Sequence, residues 1–358
     1  MFDYKHYVPT LKWKASEYYA LKYLKEKEKN LITPLIQLIM SKPKASKKDE
    51  QLPTWEEQLK KSIEILKIQI PQIPVEIFES WGSSPAFVDV GLIDASLRKE
   101  AITEIIKTGN IIGATLIPVV NLSSDKSIQS AMVSVSKEKQ SGICLRLFRS
   151  DFNSDINVGD KVKQFLIDQD VEESEIDLLI DFQILDDGCS RLHNLCEQIP
   201  NLLKWRTFTF ACGSFPVDLT SFVLGVNYVA RHDWKNWFTQ IKSSKLKRNP
   251  SFSDYTIQHP IYNESFQSFS PSASIRYTLN DKWLVMRGQK NKHIQYLANA
   301  RLLSQHSDFF GAKFSFGDKY IADKGTNLKG KTGNPMTWLI AGINHHLACT
   351  VKQIANLS

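Results

Sequence analysis

Cysteine is scarce and unpaired in this 358-residue chain: Cys144, Cys189, Cys196, Cys212 and Cys349 are an odd five with no CxxC spacing. That argues against a zinc ribbon or a disulfide framework and predicts reduced, structural thiols. No apolar run approaches the roughly 18 residues of a membrane span, and Met1 to Tyr7 is too charged and aromatic for a secretory leader. The expectation is a cytoplasmic protein with no membrane partner. Ser-His-Asp order, HExxH and GxSxG are all missing, so no short motif announces a nucleophilic or zinc hydrolase. Charged residues make up 23% and hydrophobic ones 42%, too apolar for disorder; the net charge of +7 favours an anionic partner only where lysines cluster.

What the chain does contain is a rhythm. Eight apolar bursts of strand-like composition run over Tyr7 to Trp13, Leu31 to Met40, Ala86 to Leu92, Ala114 to Asn121, Ile143 to Arg149, Ile176 to Leu185, Arg206 to Cys212 and Phe252 to Ile257. Stretches of helical periodicity separate them: Glu17 to Leu24 with Ser16 as its cap, a helix from Thr54, then Asp94 to Ile106, Asp125 to Lys139, Val158 to Ile167, Ser190 to Ile199 and Asp218 to Ile241. Repeated βα units imply a parallel sheet, and eight of them an α/β fold of the (β/α)8 TIM-like barrel type. Past the eighth burst the rhythm changes. Ser274 to Leu279 and Trp283 to Arg287 read as a hairpin, Ile294 to Gln305 as a helix, and Met336 to Leu357 as a long apolar helix. The expected organisation is a barrel over 1–262, an α+β insertion over 263–334 near the barrel mouth, and a C-terminal helix over 335–358 packing on the barrel.

Alternation within the bursts says which side chains enter the barrel. In Ile176 to Leu185 the row Leu178, Ile180, Phe182, Ile184 is wholly apolar and suits the outer helices, so Asp177, Leu179, Asp181 and Gln183 face inward. The same reasoning turns Cys144, Arg146 and Phe148 inward, with Phe87, Asp89 and Gly91. Lys12, Gln37, Asn121 and Asp254 complete a polar set at the strand ends, with Arg146 a natural neighbour of Asp181. Candidate catalytic residues are therefore Lys12, Asp89, Arg146, Asp181, Gln183 and Asp254, and Gln37 and Asn121 are candidate binding residues. A buried carboxylate is costly unless paired or wet, so this ring is either an internal ion-pair network or a ligand site.

Two tempting motifs carry less. Gly325 to Thr332 matches GxxxxGK[ST] letter for letter, but Gly333, Asn334 and Pro335 interrupt the helix a phosphate loop requires, leaving a basic loop as its reading. His345 and His346 are adjacent, and neighbours on a helix point about 100° apart, so a shared metal is not expected. Lysines 42, 44, 47 and 48, with Lys290, Lys292, Lys329 and Lys331, belong to connections expected at the mouth, whereas Lys242, Lys245, Lys247 and Arg248 belong to the opposite end. A basic rim of that kind suits an anionic ligand, nucleic acid or an acidic protein surface.

Several of these pieces recur together in a known family. Tyr7-Val8-Pro9, Lys12-Trp13-Lys14, Glu17, Ala20-Leu21, Asp254-Tyr255, His259-Pro260, Ile275-Arg276-Tyr277, Trp283-Leu284-Val285, Arg287-Gly288, Trp338 and Asn344-His345-His346 resemble the beta protein family of phage satellites and other bacterial mobile elements. The likeness runs nearly end to end, with Ser253 standing where the family pattern has glycine. It implies a role in an anti-phage defence or toxin-antidote cassette, beside a killer protein that it restrains or works with. It implies no particular catalytic residues; Lys14, Trp283 and Arg287 in its motifs are further candidate binding contacts.

Two readings follow. In one, the chain binds the product of a neighbouring defence or toxin gene, or a phage-derived signal, through the barrel mouth. In the other it is a phosphodiesterase or nuclease whose Asp89, Asp181 and Asp254 hold a divalent metal, while Lys12 or Arg146 stabilises phosphate charge. No other cofactor is suggested.

Overall fold

The bursts become parallel strands. β1 (Thr10–Lys12), β2 (Leu35–Ile39), β3 (Ala86–Leu92), β4 (Leu116–Val120), β5 (Ile143–Phe148), β6 (Ile176–Ile184) and β7 (Thr207–Gly213) follow one another around a single sheet. A computed structural model describes residues 2–41, 54–153, 155–185, 192–243, 245–262 and 272–357; the lysines at 42, 44, 47 and 48 lie outside them. Next in sequence comes β8 (Gly225–Ala230), which leaves the barrel, and β9 (Ser251–Ser253) is the eighth barrel strand. Backbone bonds from the Val8 amide to the Phe252 carbonyl (2.9 Å) and from Thr10 to Asp254 (2.8 Å) join the last strand to the first. The result is a nearly closed eight-stranded parallel barrel with flanking helices, of (β/α)8 type.

Helices fill the connections: α1 (Ala15–Lys22), α2 (Glu26–Lys29), α3 (Trp55–Gln69), α4 (Ile73–Trp81), α5 (Ala95–Ile111), α6 (Lys126–Lys139), α7 (Arg149–Phe152), α8 (Val158–Gln169), α9 (Leu192–Cys196) and α10 (His232–Lys242). Thr54 caps α3 in a reciprocal capping box with Glu57, and Asp94, Asp125 and Asn157 cap α5, α6 and α8 with their side chains. Ser16 does not cap α1. Its hydroxyl donates to Glu17, and Lys14 occupies the cap position without a side-chain capping hydrogen bond.

The helix expected across Asp218 to Ile241 is interrupted. Gly225–Ala230 instead forms the edge of an antiparallel three-stranded sheet with β10 (Ile275–Thr278) and β11 (Lys282–Arg287), in the order β10-β11-β8. Its burial alternates residue by residue from Gly225 to Tyr228, the signature of a strand with one covered face. The last three helices, α11 (Gln295–Ser304), α12 (Phe316–Thr326) and α13 (Pro335–Ala355), pack around this sheet and the barrel wall. Gly325 and Thr326 close α12, so the phosphate-loop lettering starts inside a helix instead of following a strand.

Two apolar layers hold the barrel. Inside it, Val8, Leu35, Phe87, Val119, Leu179 and Ala211 form a small core of their own, while Val88, Leu145, Leu178 and Ile180 face the helices. The parity read from the sequence therefore places both sets. Because Leu179 is fully buried within that enclosed interior, Leu179→Ala is expected to cost about 2–5 kcal/mol, measured as a fall in the urea midpoint at unchanged slope.

Candidate functional site

Three strand ends share one device. Asp89, Asp181 and Asp254 each accept, through Oδ1, the backbone amide two residues ahead: Gly91 (2.7 Å), Gln183 (2.7 Å) and Thr256 (3.0 Å). Gln183 and Thr256 adopt left-handed backbone, with φ of 56° and 59°, and β6 slips register against β7 between Asp181 and Ile184. Gly91 serves a steric need, since a Cβ there would lie 2.9 Å from Asp89 Oδ1. Each turn fixes its carboxylate and leaves Oδ2 to face a cation.

For two of them the cation is Arg146. Its Nε donates to Asp181 Oδ2 at 2.9 Å, Nη2 reaches the same oxygen more closely, and Nη1 donates to Asp89 Oδ2. Tyr255 completes the cluster: its hydroxyl donates to Asp181 Oδ2 at 2.6 Å and accepts from Arg146 Nη2 at 2.9 Å. Arg146 and Asp181 are fully buried and Asp89 nearly so. Burial opposes the arginine's charge, but Asp181, Tyr255 and Asp89 outweigh it and hold the guanidinium well above its usual range. Burial and the Asp181 charge likewise push the Tyr255 hydroxyl up. The cluster is thus a closed, mutually hydrogen-bonded unit, two carboxylates on one guanidinium, with its polar atoms already engaged.

Lys12 and Gln37 lie beside it in one lateral row, since Lys12 pairs with Gln37 across β1–β2 and Gln37 with Asp89 across β2–β3. Gln37 Nε2 donates to Asp89 Oδ2 at 3.3 Å, and its Oε1 is buried without a partner. Lys12 Nζ donates to the His259 carbonyl at 2.5 Å and sits 5.4 Å from the Tyr255 ring centre and 6.0 Å from that of Tyr262. Burial, then the neighbouring Lys14 charge, bring Lys12 down to about 8. Lys14 is exposed, with Nζ 4.9 Å from the Tyr262 ring centre.

The remaining candidates are placed differently. Asn121 is used locally, its Oδ1 accepting the hydroxyls of Ser123 and Ser124 after β4, and the half-buried Gln183 contributes its backbone amide to Asp181. Arg287 Nη1 donates to Ser274 Oγ at 3.4 Å on the small sheet. Trp283 is wholly buried against Phe215, which removes it as a ligand contact. Asp254 is the main correction: it shares the parity of Phe252, whose ring stands with Trp234 and Trp237 on the outer wall, so it points away from Asp181. Tyr255, one residue on, takes the inward position. An aromatic residue at a strand end reads as core in sequence, and its hydroxyl is what the sequence reading missed. Among the described residues no His, Cys, Asp and Glu gather as a metal site.

Asp254 instead anchors the last helix. His346 Nε2 donates to Asp254 Oδ2 (2.9 Å), His346 Nδ1 accepts from Thr278 Oγ1 (2.8 Å), and the Tyr7 hydroxyl donates to Asp254 Oδ1 (2.6 Å). Burial holds His346 below its usual value, only partly offset by Asp254; for Asp254 burial pushes upward but His346, Arg231 and Tyr7 prevail and lower it. One residue earlier, His345 stacks on Tyr277 at 3.8 Å, donates from Nε2 to the Thr278 carbonyl (2.8 Å) and is hydrogen-bonded through Nδ1 to Asp318 Oδ2 (2.8 Å). Asn344 accepts the Gly317 amide and donates to the Ala20 carbonyl. The Asn-His-His triplet is a three-way fastener.

A (β/α)8-type barrel whose interior carboxylates are tied together by one arginine, and whose last helix is tied down by Asn344 to His346, defines the class of protein. The chain belongs to the beta protein family: the model of that family, described as Beta protein, matches residues 7–352. No curated protein matches the chain significantly.

Two outcomes follow from this geometry. Arg146→Met leaves Asp89 and Asp181 buried without their cation and should cost about 3–5 kcal/mol in urea unfolding. For Lys12 the folded chain releases its proton near about 8, whereas the unfolded chain keeps it to 10.5. The unfolded state therefore binds more protons across that window, so wild type should gain stability relative to Lys12→Met as pH rises through it, by on the order of 3 kcal/mol.

Proposed function

We propose that the protein is a binding component of a bacterial anti-phage defence or toxin-antidote cassette, holding a partner protein or phage-derived signal at the barrel mouth. The observation that carries this reading is the saturation of the Arg146 cluster. Where barrel enzymes present reactive groups at the strand ends, Asp89, Asp181 and Tyr255 here have their acceptor and donor atoms turned onto Arg146 and one another. Nearer the surface stands a cation with aromatic company, Lys14 beside Tyr262, which suits recognition of an acidic surface. Close by, a cavity of about 810 Å³ is lined by Trp13, Lys14, Tyr18 and Tyr19 along with Glu76 and Glu79, a recess of the kind that receives a protruding side chain of mixed polarity. The metal-dependent phosphodiesterase or nuclease reading is less favoured, because Asp254, the third carboxylate it calls on, belongs to the outer-wall network around His346.

The test is co-purification of the tagged chain with the products of its neighbouring genes, alongside a phage-protection assay. Recovery of a neighbour, reduced about tenfold or more by Lys14→Glu, is the expected result. No neighbour recovered, or protection and recovery both unchanged in Lys14→Glu combined with Arg287→Glu, sinks the proposal.

A further inference from the structure

Counting partners around the mouth leaves two polar groups over. Arg146, Asp89, Asp181 and Tyr255 satisfy one another, but Gln37 Oε1 has no partner while nine-tenths or more of its residue is buried. Its orientation is not arbitrary, because Nε2 must face the Asp89 carboxylate, which directs Oε1 away from the cluster. The second group is the Lys12 amine. Among the described residues no carboxylate lies within salt-bridge distance of it, and its hydrogen bond goes to the neutral His259 carbonyl. A lysine this buried usually faces an acid.

We propose that Lys12 is a nucleophilic amine that forms a reversible imine with a small hydroxyaldehyde or hydroxyketone, whose hydroxyl donates to Gln37 Oε1. The strand register sets the two residues side by side on neighbouring strands. In the step, the neutral Lys12 nitrogen attacks the carbonyl carbon, the C=O π bond breaks, and the oxygen takes up one of the protons that the nitrogen gives up, the second leaving the nitrogen when water departs. The resulting carbinolamine expels that oxygen as water, leaving a C=N bond; water reverses the sequence, and no oxidant or reductant is consumed. Desolvation beside a second cation is a known way of activating a lysine amine, and here the buried site and Lys14 supply both conditions. Lys14 and the Tyr262 ring at the rim favour carbonyl compounds that carry an anionic group. This chemistry goes beyond the partner-binding reading: it needs only the barrel strands, so its success or failure is independent of whether a neighbouring gene product co-purifies.

The experiment treats the full chain with glycolaldehyde near neutral pH, traps the imine with borohydride as a secondary amine, and maps labelled lysines by peptide mass. Lys12 should label about tenfold faster than the median lysine, its larger fraction of free amine outweighing its lower basicity and poorer access. Lys12→Arg should lose that adduct and leave the others unchanged. Glycolaldehyde phosphate should label Lys12 faster still, and Gln37→Leu should slow labelling by glycolaldehyde but not by propanal, which lacks the hydroxyl. Labelling of Lys12 no faster than that of surface lysines, in protein with native circular dichroism, overturns the proposal. Equal effects of Gln37→Leu on both aldehydes overturn the part given to Gln37.

Discussion

Arg146 is the charge around which the barrel closes. Two carboxylates in an enclosed interior cannot both stay ionised without a cation, and neither can move away because a backbone amide holds each by its other oxygen. One guanidinium, with its fixed fork of donors, spans β3 and β6 from its place on β5. Lysine could not do this: a single ammonium cannot present two planar faces of donors to carboxylates on opposite walls. The cluster therefore specifies which strands stand opposite one another as well as adding to stability.

The same turn at Asp254 serves a different end. Its free oxygen meets His346 from outside the barrel, so a motif that inside fixes strand against strand here fixes barrel against helix. Around it Arg231 bridges α10, the small sheet and α13 through the Leu279 carbonyl, Thr350 and Gln353, with its guanidinium between Trp234 and Trp283. Asp233 nearby is pushed up to about 7 by burial and by Asp254, so the group is poorer in charge than its composition suggests. The residues that gave the family likeness, among them Tyr7, Asp254, Trp283 and the Asn344 to His346 triplet, are largely the residues of these joints.

How much of this could be read from sequence depended on strand length. In β6, nine residues long, an unbroken outer row left no freedom in the parity, and Asp181 and Arg146 were found as neighbours. In β9, only three residues long, the burst was too short to show an outer row, and Asp254 and Tyr255 exchanged their expected sides. β8 was lost because its two valines, Val226 and Val229, sit in a stretch that also fits helical spacing. Its residue types do not follow its burial either, since Val226 and Tyr228 are exposed while Asn227 is half-buried, so no hydropathy alternation marked the strand. No periodicity could have announced the Gln37 orphan or the Lys12 environment, since both arise from what surrounds a side chain after the barrel has closed.

The triplet on α13 also has a consequence in time. His346 touches Tyr7 across 339 positions of sequence, and Asn344 touches Ala20 across 324. A ribosome delivers the barrel strands long before it delivers that helix, so the growing chain holds Tyr7 and Asp254 with no histidine to meet them. The sheet can assemble during synthesis, but its seam between first and last strands is bolted only afterwards. Until then the nascent protein is a barrel with its outer-wall carboxylate uncovered, and the interval before α13 arrives is when it is most open to chaperones, proteases or a partner that binds the unfinished form.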